Sequence, residues 1–124
     1  MENMLVEQKT VMDVIYDAVA NINPLDEVEA KHIHETLAWI KSGSPIFRIA
    51  KPDLPKKHLV SYFVLFDEVA AKILLVDHKN AKLWLPTGGH VEVDEDPKNT
   101  VRRECVEELG VAANFLYEYP VFLT

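Results

Sequence analysis

GHVEVDEDPKNTVRRECVEELGV, residues 89–111, is the stretch on which the reading of this chain turns. It contains a capped helix, with Asp96 as N-cap, Pro97 at the first position where a missing N–H costs nothing, and Gly110 as terminator. Within that helix Glu104, Glu107 and Glu108 stand at i, i+3 and i+4. At about 100° per residue the three carboxylates converge on one face within a single turn. Like charges so spaced repel, and Arg103, four before Glu107, is one guanidinium against three carboxylates. A hard divalent cation compensates better: Mg²⁺ takes oxygen ligands, uses few carboxylates and keeps positions for water and substrate phosphate. The Gly88-Gly89 loop ahead of the helix permits close backbone approach. Taken alone, E-x-x-E-E is most often a solvated helix face, with Val101, Cys105 and Leu109 as the apolar stripe beside it. The wider pattern has to decide.

That pattern resembles the Nudix box, G-x5-E-x7-R-E-U-x-E-E-x-G-U, where U is a bulky apolar residue. Gly89, Glu95, Arg103, Glu104, Glu107, Glu108 and Gly110 occupy every required position, and Val111 the last U. At roughly 0.06–0.07 per position, seven such identities arise by chance on the order of 10⁻⁸ per starting point. Cys105 at the first U is smaller than the usual aliphatic residue, a difference that touches packing more than catalysis. LWLPTGGHVE, residues 83–92, is similar to the strand and loop that lead into the box, and the likeness of strand order extends over about 59–124.

The resemblance implies an α/β fold: a Nudix-type mixed, mostly antiparallel β-sheet with the box helix packed on it. It implies Mg²⁺-dependent hydrolysis (Mn²⁺ as an alternative) of the pyrophosphate linkage in a nucleoside diphosphate joined to another moiety. By the same resemblance Glu104, Glu107 and Glu108 hold the metal, with the backbone carbonyl near Gly88–Gly89 as a further ligand. Glu95 and Arg103 are similar to the family's ion pair that orients the loop against the helix. The general base is a box glutamate, Glu104 first, or a residue on a later loop. Trp84 reads either as a wall of the base pocket or as a core aromatic, and His90 either as a phosphate contact or as an ordinary loop or strand contact. The alternative from another functional class is a non-catalytic Nudix-fold module that senses nucleotide; an intact set of helix carboxylates favours the enzyme.

Outward from the box, the pattern gives further elements. LVSYFVLF, 59–66, is β-branched and aromatic and predicts a buried strand; KILLVD, 72–77, and KLWL, 82–85, predict two more. Pro86 to Gly89 predicts a loop, followed by HVEV with His90 in the loop before the box, and ANFLYEYPVFLT, 113–124, predicts a final strand. Toward the N-terminus, Val11, Ile15, Ala18 and Ile22 form a helical stripe. Asn23-Pro24 predicts the start of a second helix carrying Leu25, Val28, Ile33, Leu37 and Ile40, ended by Gly43. Pro45, Pro52 and Pro55 make 45–58 an extended connector. The expected organisation is a helical hairpin over 1–44, the connector over 45–58, and the Nudix domain over 59–124.

Other candidates are weaker. From Asp94, the sixth and twelfth positions are Asn99 and Cys105, where a calcium-binding EF-hand loop needs Gly and Glu. His32 and His34 are two apart on a helix and diverge. Lys51, Lys56, Lys57 and His58 read first as a solvated connector, otherwise as help in holding phosphate. Cys105 lies in an apolar stripe and is expected to be inert.

Bulk properties bound the rest. The 124 residues, 48% hydrophobic and 27% charged, suit one globular domain. No apolar run is long enough to span a bilayer. MENMLVEQKT is acidic and unlike a signal peptide, and a single cysteine fits a reducing compartment, so a cytoplasmic location is expected. A net charge of −7 disfavours a nucleic-acid polymer as partner and suits a small polyphosphate substrate bound through a cation. Residues 112–124 are few for the strand and helix that close the family's sheet. That segment reads as missing, and a homodimer burying the stripe of Val11, Ile15, Ala18 and Ile22 is expected to compensate.

Overall fold

The computed structural model describes residues 9–124; the N-terminal MENMLVEQ, whose lack of signal-peptide character was noted above, lies outside the described residues. Packing divides the chain into two compact units, Met1–Ser44 with Phe115–Thr124, and Pro45–Asn114.

The first unit is built on α1 (Val11–Ala20) and α2 (Glu27–Lys41), which pack against each other. Thr10 caps α1: its hydroxyl accepts from the Asp13 N–H at 3.1 Å, and the Asp13 carboxylate accepts from the Thr10 N–H at 3.2 Å. Ile15, Val19, Ile22, Ile33 and Ile40 are buried. Of the stripe, Ile15 and Ile22 are thus buried within one chain and Val11 and Ala18 are half-buried, so the two isoleucines are not available as a dimer surface. The start of α2 also differs from expectation. Asp26, rather than Asn23, is the N-cap: its carboxylate accepts from the Glu29 N–H at 2.8 Å, and the Glu29 carboxylate reaches back to the Leu25 N–H at 2.7 Å. These reciprocal bonds satisfy backbone donors that Asn23-Pro24 would have left open, and they leave Leu25 and Val28 exposed.

Glu29 is only 7% exposed. A carboxylate that deep requires donors. Its second oxygen accepts from the Leu123 N–H at 3.0 Å, which ties residues 115–124 to α2. This segment forms no strand, contrary to the reading of 113–124. Pro120 has no N–H to give a ladder, and the local anchor is a side chain instead.

The second unit carries β1 (Val60–Phe63), β2 (Leu65–Asp67), β3 (Lys72–Leu74), β4 (Val76–His78), β5 (Leu83–Leu85), β6 (Thr87–His90) and α3 (Pro97–Leu109). The strands pair antiparallel as β1 with β6, β2 with β3, and β4 with β5. The predicted runs 59–66 and 72–77 each break once and change partner, and the chain does so again at Pro86, between β5 and β6. Phe63 faces Thr87, Leu65 faces Leu74, and Val76 faces Leu85. Val64, Leu75 and Pro86 therefore mark one junction where three strands exchange neighbours. Pro86, lacking an N–H, ends the ladder there. Two turns close the hairpins: the Asp67 carboxylate accepts from the Val69 and Ala70 N–H groups, both at 3.0 Å, and the Lys82 N–H donates to the His78 carbonyl at 2.8 Å. The α/β class and the helix on strands agree with expectation; α3 packs on β1 and β6.

Three local readings are corrected. The stretch 59–66 is not buried on both faces: Val60, Tyr62, Val64 and Phe66 are exposed, the alternation of a strand covered on one side. Strand β6 contains the glycines read as a loop, together with His90. Residues 45–58 do not run extended. Ile46 and Phe47 are buried, Ile49 and Ala50 both donate to the Leu54 carbonyl, and Leu59 donates to Ile46. Two large apolar side chains gain burial by this folding back, and the backbone groups find partners.

Candidate active site

The site is assembled where β6 meets α3. A Cβ on Gly88 would lie 2.5 Å from the Ser61 carbonyl oxygen, and one on Gly89 would collide with the Glu104 carboxyl group. Close backbone approach therefore requires glycine at 88, while at 89 the Glu104 carboxyl fills the space a Cβ would take and would have to move. The helix that brings Glu104 there is fixed at both ends. The Asp96 carboxylate accepts from the Lys98 N–H at 2.9 Å, and Gly110 takes the left-handed conformation at φ 67°. Cys105 and Thr100 are fully buried beneath it, so the thiol is a packing group, as expected.

Arg103 organises the polar side. Its Nη2 donates to Glu95 Oε1 at 3.0 Å and to the His90 carbonyl at 3.3 Å, and its Nε to Glu95 Oε2 at 3.3 Å. Its Nη1 donates to Glu104 Oε1 at 2.7 Å. Glu95 also accepts from the Thr100 hydroxyl at 2.6 Å and from the Glu92 N–H at 3.2 Å. Burial pushes the Glu95 carboxyl up, but the bonds from Arg103, Thr100 and the Glu92 backbone outweigh it and hold the group below its ordinary range. The same pair raises the Arg103 guanidinium, which stays charged. The loop of 91–96 is thereby pinned to the helix. The part played by Thr100 was not read from the sequence; its spacing three before Arg103, one helical turn, was the available signal.

Gly89, Glu95, Arg103 and Glu104 are thus brought together. Glu107 and Glu108 follow on the same helix, both exposed, with Glu107 Oε2 3.9 Å from Arg103 Nη1. The three helix carboxylates do not bring their oxygens within 4.8 Å of one another. Their chemistry fits a hard divalent ion: carboxylate oxygens on one rigid turn, beside a backbone approached as only glycine allows. Trp84 lies on β5 and is 66% exposed, so it is not a core aromatic.

The His90 side chain makes a different set of contacts. Its Nδ1 lies 2.8 Å from His58 Nε2, and His58 Nδ1 lies 2.7 Å from the Pro55 carbonyl oxygen. Burial, then Arg48 and His58, lower the His90 pKa, and Asp53 opposes them. His58, read above within a solvated basic patch, is half-buried. Nothing local in the sequence pairs it with His90, because the contact is made by strand register, Val60 standing opposite His90.

No curated protein and no solved structure is similar enough to match this chain. The family model described as NUDIX domain matches residues 56–123, a span that contains the β6–α3 site and more than half of the chain. The chain belongs to the Nudix family, whose domain supports hydrolysis of nucleoside diphosphate derivatives.

Proposed function

We propose that this protein is a Mg²⁺-dependent hydrolase that cleaves the pyrophosphate linkage of a small nucleoside-diphosphate derivative. The observation that carries the reading is the fit of Glu104 to Gly89, with Glu107 and Glu108 on the same turn and Arg103 clamping Glu95 behind them. Glu104, Glu107 and Glu108 are our ligand set, with the Gly89 carbonyl as a further donor. A bound divalent ion supplies phosphoryl polarisation, charge neutralisation on the leaving phosphate and a lowered pKa for the attacking water. Glu104 is our first candidate for accepting that water's proton. Glu95 and Arg103 position the loop and the helix. In this reading Gly88 and Gly89 let phosphate approach the backbone, and the exposed Trp84 offers an apolar face to a base.

A homodimer belongs to the same reading. It is supported by Phe66 and Ile73, cross-strand partners that are 47% and 55% exposed.

Phosphate release across ADP-ribose, NADH, diadenosine polyphosphates and nucleoside triphosphates, with and without Mg²⁺, tests the activity. Turnover of at least one class only with the metal is expected. Nucleotide binding without turnover on any class would instead make the chain a sensing module.

A further inference from the structure

Residues outside the carboxylate turn form a second cluster with ligand chemistry of its own. Among the described residues, Asp53, His58 and His90 are the group whose metal-ligating atoms all lie within 4.8 Å of one another. The three come from different places: the turn closed by the Ala50–Leu54 bridge, the approach to β1, and the end of β6. His58 Nε2 and His90 Nδ1 are already 2.8 Å apart, with ring centroids at 4.9 Å. A zinc ion with bonds of about 2.0–2.1 Å in tetrahedral geometry holds its nitrogens about 3.3 Å apart. The pair therefore opens by about half an ångström to admit the ion.

The orientation of His58 is also that of a metal ligand. A carbonyl oxygen can only accept, so the Pro55 carbonyl at 2.7 Å fixes the proton on His58 Nδ1. The lone pair is then on Nε2 and accepts from His90 Nδ1–H at 2.8 Å; a metal ion takes the place of that proton, which moves to His90 Nε2 or to solvent. A backbone carbonyl that holds one ring nitrogen so that the other can ligate is the usual outer-shell support of a metal-bound imidazole. Imidazole nitrogen with one carboxylate favours a borderline transition ion, where Mg²⁺ prefers oxygen alone.

We propose that Asp53, His58 and His90 form a binding site for a divalent transition metal of the zinc class, separate from the glutamates of α3. Three protein ligands leave one position of a four-coordinate ion for water or an anion. His90 also lines a cavity of about 170 Å³ with Arg48, Lys51 and Glu92. Occupancy ties the 50–54 turn to the end of β6.

The test uses the full chain with Glu107→Gln and Glu108→Gln together, so that the α3 carboxylates do not compete. Co²⁺ is titrated and followed by its visible ligand-field absorption, and Zn²⁺ is added to displace it. One equivalent of Co²⁺ should bind. His58→Gln and His90→Gln should each weaken it at least tenfold, and Asp53→Asn, at an exposed position that does not threaten folding, severalfold. His32→Gln and His34→Gln should change nothing. In the parent chain, Zn²⁺ should move the imidazole nitrogen resonances of His58 and His90, a readout that needs no variant to fold. Unmoved resonances at both, or Co²⁺ binding unchanged in Asp53→Asn and the two histidine variants, would overturn the proposal.

Discussion

Arg103 is the residue on which the polar contacts of the site converge, with two carboxylates and a backbone carbonyl as its acceptors. Arg103→Ala leaves Glu95 and Glu104, whose side chains are 15% and 13% exposed, without their cation. The expected cost is about 2–3 kcal/mol in denaturant unfolding, together with loss of rate. Glu95 adds a pH dependence whose sign follows from its lowered pKa. A carboxyl held lower in the folded than in the unfolded state contributes its full stability above the ordinary value of 4.5 and loses it as pH falls through the folded value. Unfolding followed from about pH 6 to pH 3 should show wild type losing stability faster than Glu95→Gln; parallel curves would mean that the ion pair contributes nothing. Gly89→Ala should cost both folding and rate, since the new Cβ meets the Glu104 carboxyl. These residues were legible in the sequence because the box names them by spacing. The pairing of His58 with His90 was not, since no local pattern joins positions that only strand register brings together.

At the scale of elements, the box helix was legible almost to the residue and the strands were not. A helix announces its ends locally: Asp96, Pro97 and Gly110 are within the pattern they terminate. Asp96→Ala and Gly110→Ala should each destabilise by about 1 kcal/mol in chemical denaturation, the first by losing a cap and the second by forcing a β-carbon onto a left-handed backbone. Neither substitution touches a carboxylate of the site, so loss of metal-dependent rate at low denaturant, with folding intact, would contradict the separation of cap from chemistry. The strand breaks at Val64, Leu75 and Pro86 depend on which neighbour each half-strand meets, information spread over the whole sheet region. The extended glycines of β6 misled for a related reason. Read alone, Gly-Gly signals a turn; here Gly88 lies against the Ser61 backbone and the space of a Gly89 Cβ is taken by the Glu104 carboxyl group.

For the whole molecule, the isoleucines of the helical stripe found their cover inside the chain, while the strands kept large apolar side chains in contact with solvent. Tyr62 is 65% exposed and Trp84 66%. Exposed aromatics on short strands favour either substrate contact or association. Sedimentation at micromolar concentration should give a dimer that Phe66→Lys with Ile73→Lys dissociates; a monomer before any substitution would remove the dimer from the account. Hydrolysis rests on a smaller set of atoms. Glu107 and Glu108 are exposed, so Glu→Gln there should move stability by no more than about 0.5 kcal/mol. The most direct measurement is kcat under saturating Mg²⁺ for wild type, Glu107→Gln and Glu108→Gln, on whichever nucleoside-diphosphate derivative the wild type turns over. A fall of about a hundredfold or more in each variant, roughly 2.7 kcal/mol in barrier, with unfolding curves unchanged, is the expected result. Equal kcat in all three would contradict the assignment of the helix carboxylates to catalysis.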